Sequence, residues 1–219
     1  HRVDRRQRQM CIRDSTERVR LGTGICLLPQ RQPVYTAKMV ADLDYLSGGR
    51  VDFGVGIGWL KEEFDSLGMD FSTRASRTEE YIMVMRALWS EGISEFSGKT
   101  VELAPCHFNP KPVQKPHPPI IFGGESDPAL RRVARMGDGW YGYDLTPEAL
   151  VERLPGLDAA LAASGRSRQD IQLIVGPNRH PVNPETIAAY AAAGTDQLVV
   201  PVFAGSVSYT HLTLPTIYS

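Results

Sequence analysis

The fold of this chain is constrained most by a repeated alternation of short apolar stretches with longer amphipathic ones. Strands are predicted for the apolar stretches, at residues 18–28, 51–57, 119–122, 137–140, 171–175 and 197–202. Their side chains are mostly Val, Ile and Leu without polar alternation, which indicates burial on both faces and a parallel sheet covered by helices. The expected class is therefore α/β, as either an open doubly wound sheet or a (β/α)8 barrel.

Residues typical of helix ends mark the segments between these strands. A helix over residues 34–46 is followed by Gly48, which is expected to be its left-handed C-cap. Asp127 is expected to cap a second helix, and a short helix is expected to open at about Trp59. Pro155 lies inside a fourth predicted helix and is expected to break or kink it.

Glycines near the strand ends discriminate between the two architectures. An open dinucleotide-binding sheet would carry G-x-G-x-x-G, whereas Trp59 stands in place of the third glycine in the stretch that begins at Gly54. Glycine pairs recur at the ends of several strands, which favours the ring of βα-loops of a barrel. A closed barrel needs eight strand–helix units. The sequence contains about six, so the first two are expected to be missing.

The two ends of the chain differ from the rest in composition. Residues 1–15 are rich in arginine without a helix or strand period, and residues 206–219 are rich in threonine. Both resemble translated sequencing-adapter sequence and are interpreted as non-native; the alternative is a native basic arm and a native final strand. The domain is predicted to span residues 16–205, and the chain as given is expected to be poorly stable and inactive.

Composition narrows the classes of function. The net charge of -1 and the 22% of charged residues disfavour a nucleic acid or a membrane surface as the main ligand. The three cysteines form no CxxC spacing, so no metal site or disulfide framework is expected, and a reducing, cytoplasmic location is inferred. No apolar run approaches the roughly 20 residues that span a bilayer.

One long insertion, residues 93–118, interrupts the repeat. It contains a predicted hairpin with strands over 95–97 and 100–103 that turn at Gly98, followed by a proline-rich stretch. Such a loop is either a lid or substrate wall, or a passive surface excursion. The remaining polar candidates are interpreted as solvated: His117, His180, and the glutamate pairs Glu62–Glu63 and Glu79–Glu80.

Four blocks of sequence, in order, resemble the luciferase-like monooxygenase superfamily. They are residues 18–68, RTEEYIMVMRALW at 77–89, KPVQKPHPPIIFGGES at 111–126 and ALRRVARMGDGWYGY at 129–143. The nearest resemblance is to the subgroup of probable F420-dependent oxidoreductases. It implies an incomplete (β/α)8 TIM barrel of the bacterial-luciferase type, in which the first strand present corresponds to the family's third.

The resemblance also implies where a cofactor would bind. The Gly24–Ile25 bond lies where many family members carry a non-prolyl cis peptide behind the flavin or deazaflavin ring; the alternative is a β-bulge at the barrel rim. Two strand-to-helix turns would bind phosphate: Gly56, Ile57, Gly58 and Trp59 in the first, and Gly123, Gly124 and Ser126 in the second. The carboxylates of Glu125 and Asp127 would repel a phosphate at the second turn unless they point away from it. Six residues are expected to converge on one mouth at the carboxyl ends of the strands: Gly24, Ile25, Gly56, Gly58, Gly123 and Gly124.

The function implied by the resemblance is hydride transfer from reduced coenzyme F420 to an unknown small organic substrate. The alternatives are an FMN-dependent monooxygenase and a cofactor-binding relative without turnover. No catalytic residue is assigned, because the family's acid and base residues generally lie on the first strands. A homodimer is a further expectation, without nucleic acid or membrane partners.

Overall fold

The structure is a computed structural model that describes residues 14–201. Residues 1–13 and 202–219 lie outside the described residues, and with them most of the two ends interpreted as non-native and the last residue of the predicted 197–202 strand. The chain divides into two compact units at Gly123 and Gly124.

The first unit holds the parallel strands that precede Gly124 and the insertion. In chain order its elements are β1 (Leu21–Gly22), β2 (Cys26–Leu27), α1 (Pro33–Ser47), β3 (Val51–Gly56), α2 (Lys61–Ser66), α3 (Arg74–Trp89), β4 (Ser94–Ser97), β5 (Glu102–Cys106) and β6 (Ile120–Gly123). Both β1 and β2 pair parallel with β3, and β3 pairs parallel with β6. The predicted strand over 18–28 is thus broken into two short strands by residues 23–25.

Helix α1 forms where its sequence predicts. Gln32 caps its start by accepting a hydrogen bond from the Tyr35 N–H (2.7 Å), and Gly48 ends it with φ 68°, which confirms the left-handed C-cap. Its buried face packs on α3, where the Trp89 Nε1 donates to the Ala37 carbonyl oxygen (3.1 Å). The Phe53 ring of β3 meets Trp89 edge to face, and burying such a ring contributes about 1.5–3 kcal/mol.

The insertion is anchored along its length. Strands β4 and β5 form the expected antiparallel hairpin, and the Glu80 carboxylate of α3 accepts from the Lys99 and Thr100 N–H groups (3.0 and 2.7 Å). Glu80, expected on a solvated helix face, is only partly exposed and makes these contacts there. At the far end, the Gln114 side-chain amide donates to the carbonyl oxygen of Val51 (2.7 Å), the first residue of β3. Because this anchor lies at the amino end of a strand, it favours the surface excursion over a lid.

The second unit continues the strand–helix alternation. Its elements are α4 (Asp127–Met136), β7 (Gly139–Tyr143), α5 (Pro147–Ala163), β8 (Gln172–Gly176), α6 (Pro184–Ala192) and β9 (Gln197–Leu198). Strand β8 pairs parallel with β7 on one side and with β9 on the other. Within each unit the parallel strands therefore follow one another in sequence order.

Two features of the helices in the second unit correct expectations drawn from the sequence. The N-cap of α4 is Ser126 rather than Asp127, which lies in the first turn. Pro155 lies inside α5 without interrupting the helix. The carboxyl end of α4 is closed by Arg166, whose Nη1 donates to the carbonyl oxygens of Ala134 (3.0 Å) and Gly137 (2.8 Å). A cation at this end also complements the helix dipole.

Candidate functional site

The carboxyl ends of the parallel strands form the candidate site, because ligands of parallel α/β sheets bind there. In the first unit the segment between β1 and β2 lies against the carboxyl half of β3. The peptide bond between Gly24 and Ile25 is cis, as expected from the resemblance. Thr23 Oγ1 donates to the Gly54 carbonyl oxygen (2.7 Å), which holds this segment on β3.

The Ile25 side chain fills space that two strand-end glycines leave free. A Cβ atom at Gly56 would overlap Ile25 Cδ1 and lie 3.2 Å from its Cγ1, and one at Gly123 would lie 3.1 Å from Cδ1. A larger residue at either position would displace Ile25, so both glycines have a packing role within the protein. The structure thus brings Gly24, Ile25, Gly56 and Gly123 together.

Gly24 differs from Gly56 and Gly123 because no protein atom occupies the space where its side chain would lie. A Cβ atom there would meet nothing within 4 Å, and the residue is exposed. Among the glycines whose surroundings the structure describes, five others are equally open, and each has a positive φ: Gly48, Gly68, Gly92, Gly165 and Gly194. Gly24 has no positive φ, so neither a neighbouring atom nor a left-handed backbone requires glycine there. Its bare backbone fits the close approach of a flat ring.

The loop after β3 differs from the predicted anion site. The helix expected to open at about Trp59 begins at Lys61, has six residues and carries Glu62 and Glu63 in its first turn. Gly58 has φ 79°, and a Cβ atom there would lie 2.9 Å from the Phe64 ring, so conformation and packing explain this glycine. The Trp59 side chain is 82% exposed and does not cap the core.

The second unit presents a helix N-terminus after Gly124, which has φ 110°. The Ser126 side chain makes no capping hydrogen bond, so its hydroxyl and the first amides of α4 are available to an anion. The two carboxylates that oppose an anion are engaged elsewhere. Glu125 Oε1 accepts from the Tyr143 N–H (2.8 Å), and Asp127 pairs with Arg153 (2.9 Å).

Trp140 fixes the start of this segment. The residue is fully buried, and its Nε1 donates to the Gly124 carbonyl oxygen (2.9 Å). Its indole is thus a positioning group for the residues that precede Ser126.

A polar cluster that the sequence-based reading missed follows β7 and β8. Asp144 has φ 57°, and its Oδ2 accepts from Arg179 Nε (3.0 Å) and from Arg179 Nη2. These hydrogen bonds lower the pKa of the Asp144 carboxyl. His180 Nε2 lies 3.1 Å from the Asp144 backbone oxygen, while its side chain stays 36% exposed, in agreement with the expectation that it is solvated. His117 is also partly buried, with its ring 5.9 Å from that of Trp89.

The described part of the chain also lacks two features that would indicate other classes of site. Between residues 14 and 201, no group of three or more His, Cys, Asp or Glu side chains is arranged to hold a metal ion. In the same residues, no helix is long and apolar enough to cross a membrane.

The family of this chain follows from its similarity to known proteins. The family described as luciferase-like monooxygenase matches residues 11–198. The chain belongs to this family. An uncharacterized protein of Mycobacterium tuberculosis is 35% identical over 187 residues, which cover 84% of this chain and 64% of that protein. The FMNH2-dependent dimethylsulfone monooxygenase of Pseudomonas putida is 30% identical over 156 residues, 70% of this chain and 43% of that enzyme.

Solved structures support the fold. An F420-dependent secondary alcohol dehydrogenase, solved with an F420–acetone adduct, has a TM-score of 0.78 at 17% identity, covering 95% of this chain and 81% of that chain. The expected α/β fold, an incomplete luciferase-type TIM barrel, is confirmed. This chain spans 64% of the length of the mycobacterial relative. The convergence on one mouth of the six residues named from the sequence, Gly24, Ile25, Gly56, Gly58, Gly123 and Gly124, stays a prediction.

Proposed function

We propose that this luciferase-like protein is an oxidoreductase that uses reduced coenzyme F420 to transfer two electrons to a small organic substrate. When bound, the deazaflavin supplies a hydride, and the protein supplies orientation and a shaped pocket. Family membership supports the oxidoreductase class. The resemblance of residues 18–143 to the F420-dependent subgroup supports the cofactor.

The observation that carries this proposal is the open backbone at Gly24. The exposed surface of Gly24 and Ile25 would contact one face of the planar ring, with Ile25 held in place by Gly56 and Gly123. The Ser126 hydroxyl and the amides at the start of α4, next to Gly124, would donate to the cofactor phosphate. Ile57, Gly58 and Trp59 are secondary candidates, since the exposed Trp59 indole is available to stack on the cofactor.

A second candidate is an FMN-dependent monooxygenase. The relative from Pseudomonas putida is named for its use of FMNH2 and is 30% identical to this chain. Both cofactors present a planar tricyclic ring and a phosphate, so the same residues would contact either one. The difference in chemistry is hydride donation in the first case and oxygen activation in the second.

Parallel titrations of the purified chain with F420 and FMN, followed by cofactor fluorescence, test both candidates. Binding of F420 alone supports the first, binding of FMN alone supports the second, and binding of neither by a chain that unfolds cooperatively refutes both. Gly24→Ala should weaken the cofactor affinity about tenfold or more, because a methyl group pushes the ring off the backbone. The unfolding midpoint should stay unchanged, since that methyl meets no protein atom within 4 Å.

Two further variants sharpen the assignment. Gly22→Ala is the matched control for Gly24→Ala, because its Cβ would lie at an ordinary 3.9 Å from the Asp52 carbonyl oxygen. Ser126→Ala removes one donor to the phosphate and should cost about tenfold in affinity. Equal affinities of Gly24→Ala and Gly22→Ala would exclude ring binding at this backbone.

A further inference from the structure

Tyr141 has a hydroxyl group without a protein partner at the carboxyl end of a strand. The residue lies in the middle of β7 and is half-buried. Its Oη forms no hydrogen bond with any of residues 14–201, and the atom is accessible to solvent. Tyr190 provides the contrast, because its hydroxyl donates to the Leu145 carbonyl oxygen (2.6 Å). The Tyr141 hydroxyl is therefore free to bind a ligand.

Gly176 places this hydroxyl. It is the last residue of β8, and a Cβ atom there would overlap the Tyr141 Oη and lie 2.9 Å from its Cζ. Because Gly176 has no side chain, the Tyr141 phenol can reach the carboxyl end of the neighbouring strand, β8. The Tyr143 ring lies on the same face of β7, with its centroid 6.5 Å from that of Tyr141, and adds an apolar surface beside the hydroxyl.

The charges around Tyr141 select the class of ligand. Burial raises the pKa of its phenol, and the Tyr143 phenol and the Glu125 carboxylate raise it further, so the group is a neutral donor at physiological pH. The Glu125 carboxylate also disfavours an anion here, while the Arg179 guanidinium is already paired with Asp144. An uncharged molecule with an oxygen acceptor fits these surroundings best.

The loops that border the hydroxyl are tied to one another. The Asp144 N–H donates to the Gly176 carbonyl oxygen (2.7 Å), and its carboxylate binds Arg179 from the next loop. The two non-glycine residues with positive φ among those described, Asp144 and Asn178, both lie here. Backbone held in such conformations is typical of functional sites, and these ties pre-organise the position of the phenol.

We propose that the Tyr141 hydroxyl is a specificity-determining hydrogen-bond donor to the oxygen of an uncharged, carbonyl-bearing substrate at the carboxyl ends of β7 and β8. The inference rests on the proposed oxidoreductase function and names the chemical class of its substrate. The hydroxyl binds and orients the carbonyl group, and Gly176 provides the space that this requires.

A pair of shape-matched probes tests the proposal: cyclohexanone, and methylenecyclohexane, which lacks the oxygen. Dissociation constants measured by ligand-observed NMR should favour the ketone by about 2- to 10-fold in the wild type. Tyr141→Phe should abolish this preference without changing the unfolding midpoint, because its hydroxyl has no partner among the described residues. Tyr190→Phe is the matched control: it should keep the preference and lower the midpoint, because a protein hydrogen bond is lost.

The outcomes separate this proposal from the proposed function. A wild type without ketone preference, or a preference that persists in Tyr141→Phe, overturns the role of Tyr141. If the preference depends on Tyr141 but neither F420 nor FMN binds, the carbonyl site stands and the cofactor assignment fails. If a cofactor binds but Tyr141→Phe behaves as the wild type, only the carbonyl site is refuted.

Discussion

The buried carboxylate of Asp44 gives the sharpest stability prediction. The residue lies near the end of α1, is 0% exposed and accepts hydrogen bonds from the Gln114 backbone N–H (3.0 Å) and side-chain amide (2.7 Å). A third, longer bond comes from the Val51 N–H (3.4 Å). One carboxylate therefore joins α1, the start of β3 and the end of the insertion.

Substituting Asp44 by Ala leaves these donors buried without an acceptor. Hydrogen bonds to a charged group contribute about 1.5–3 kcal/mol each, so losing the two short ones should cost about 3–6 kcal/mol. For a chain of this length each kcal/mol corresponds to about 2–4 °C, which predicts a fall in Tm of about 6–24 °C. Asp44→Asn should lose less stability than Asp44→Ala, because one side-chain oxygen remains as an acceptor. It should still lose some, because the new NH2 group would face an N–H donor of Gln114.

Calorimetry of the wild type and these variants measures the effect, with Asp42→Ala as the matched control on the same helix. The Asp42 side chain is 40% exposed and pairs only with Lys38 at an i,i+4 spacing, a contact that contributes about 0.5 kcal/mol or less. Hydrogen exchange at the Gln114 amide should accelerate in Asp44→Ala alone. Equal losses in the two alanine variants would refute the role given to Asp44.

Three further outcomes are expected. Arg166→Ala should lower the free energy of unfolding by about 2–3 kcal/mol in urea titrations, because the last carbonyls of α4 lose a charged donor; a loss below 0.5 kcal/mol, roughly that of a surface charge, would contradict this. Because Arg179 lowers the pKa of Asp144 below its ordinary value of about 3.9, this ion pair stabilises the fold above that pH and is lost as the pH falls through the lowered pKa. The difference in urea midpoint between the wild type and Asp144→Asn should shrink from about pH 5 to about pH 3, and a constant difference would exclude the pair. Gly54→Ala should destabilise by about 1–3 kcal/mol, since its Cβ would overlap the carbonyl oxygen of Thr23; an unchanged denaturation midpoint would show that the segment adapts.

The elements that the sequence predicts well are those with local signals. Helix α1 has an apolar stripe and a terminal glycine, and α6 is capped by Asn183, whose side chain accepts from the Thr186 N–H (2.9 Å). Such end signals act within a few residues, so they can be read without knowing the tertiary contacts. The break at residues 23–25 has no comparable signal, because it depends on contacts of Thr23 and Ile25 with β3, about 30 residues further along the chain.

The polar cluster after β7 and β8 was missed for a related reason. Asp144 and Arg179 are 35 residues apart and form no motif, and the loop around His180 has the composition of a solvated turn. Strand β7 nevertheless carries a usable signal. Tyr141 and Tyr143 are two residues apart and therefore lie on the same face, close to the carboxyl end of a buried strand. Polar aromatic residues in that position have a hydroxyl group that the interior of a sheet does not satisfy.

The glycines near the strand ends divide into two classes that the sequence alone does not separate. Gly56 and Gly123 make room for Ile25, and Gly58 is required by its positive φ and by the Phe64 ring. A variant such as Gly58→Asp would therefore disturb the protein itself, and a loss of cofactor binding would not show contact with phosphate. Gly24 has none of these internal constraints, so a substitution there changes the surface offered to a ligand and little else. The open glycine is thus the better place to test whether this strand end binds a planar ring.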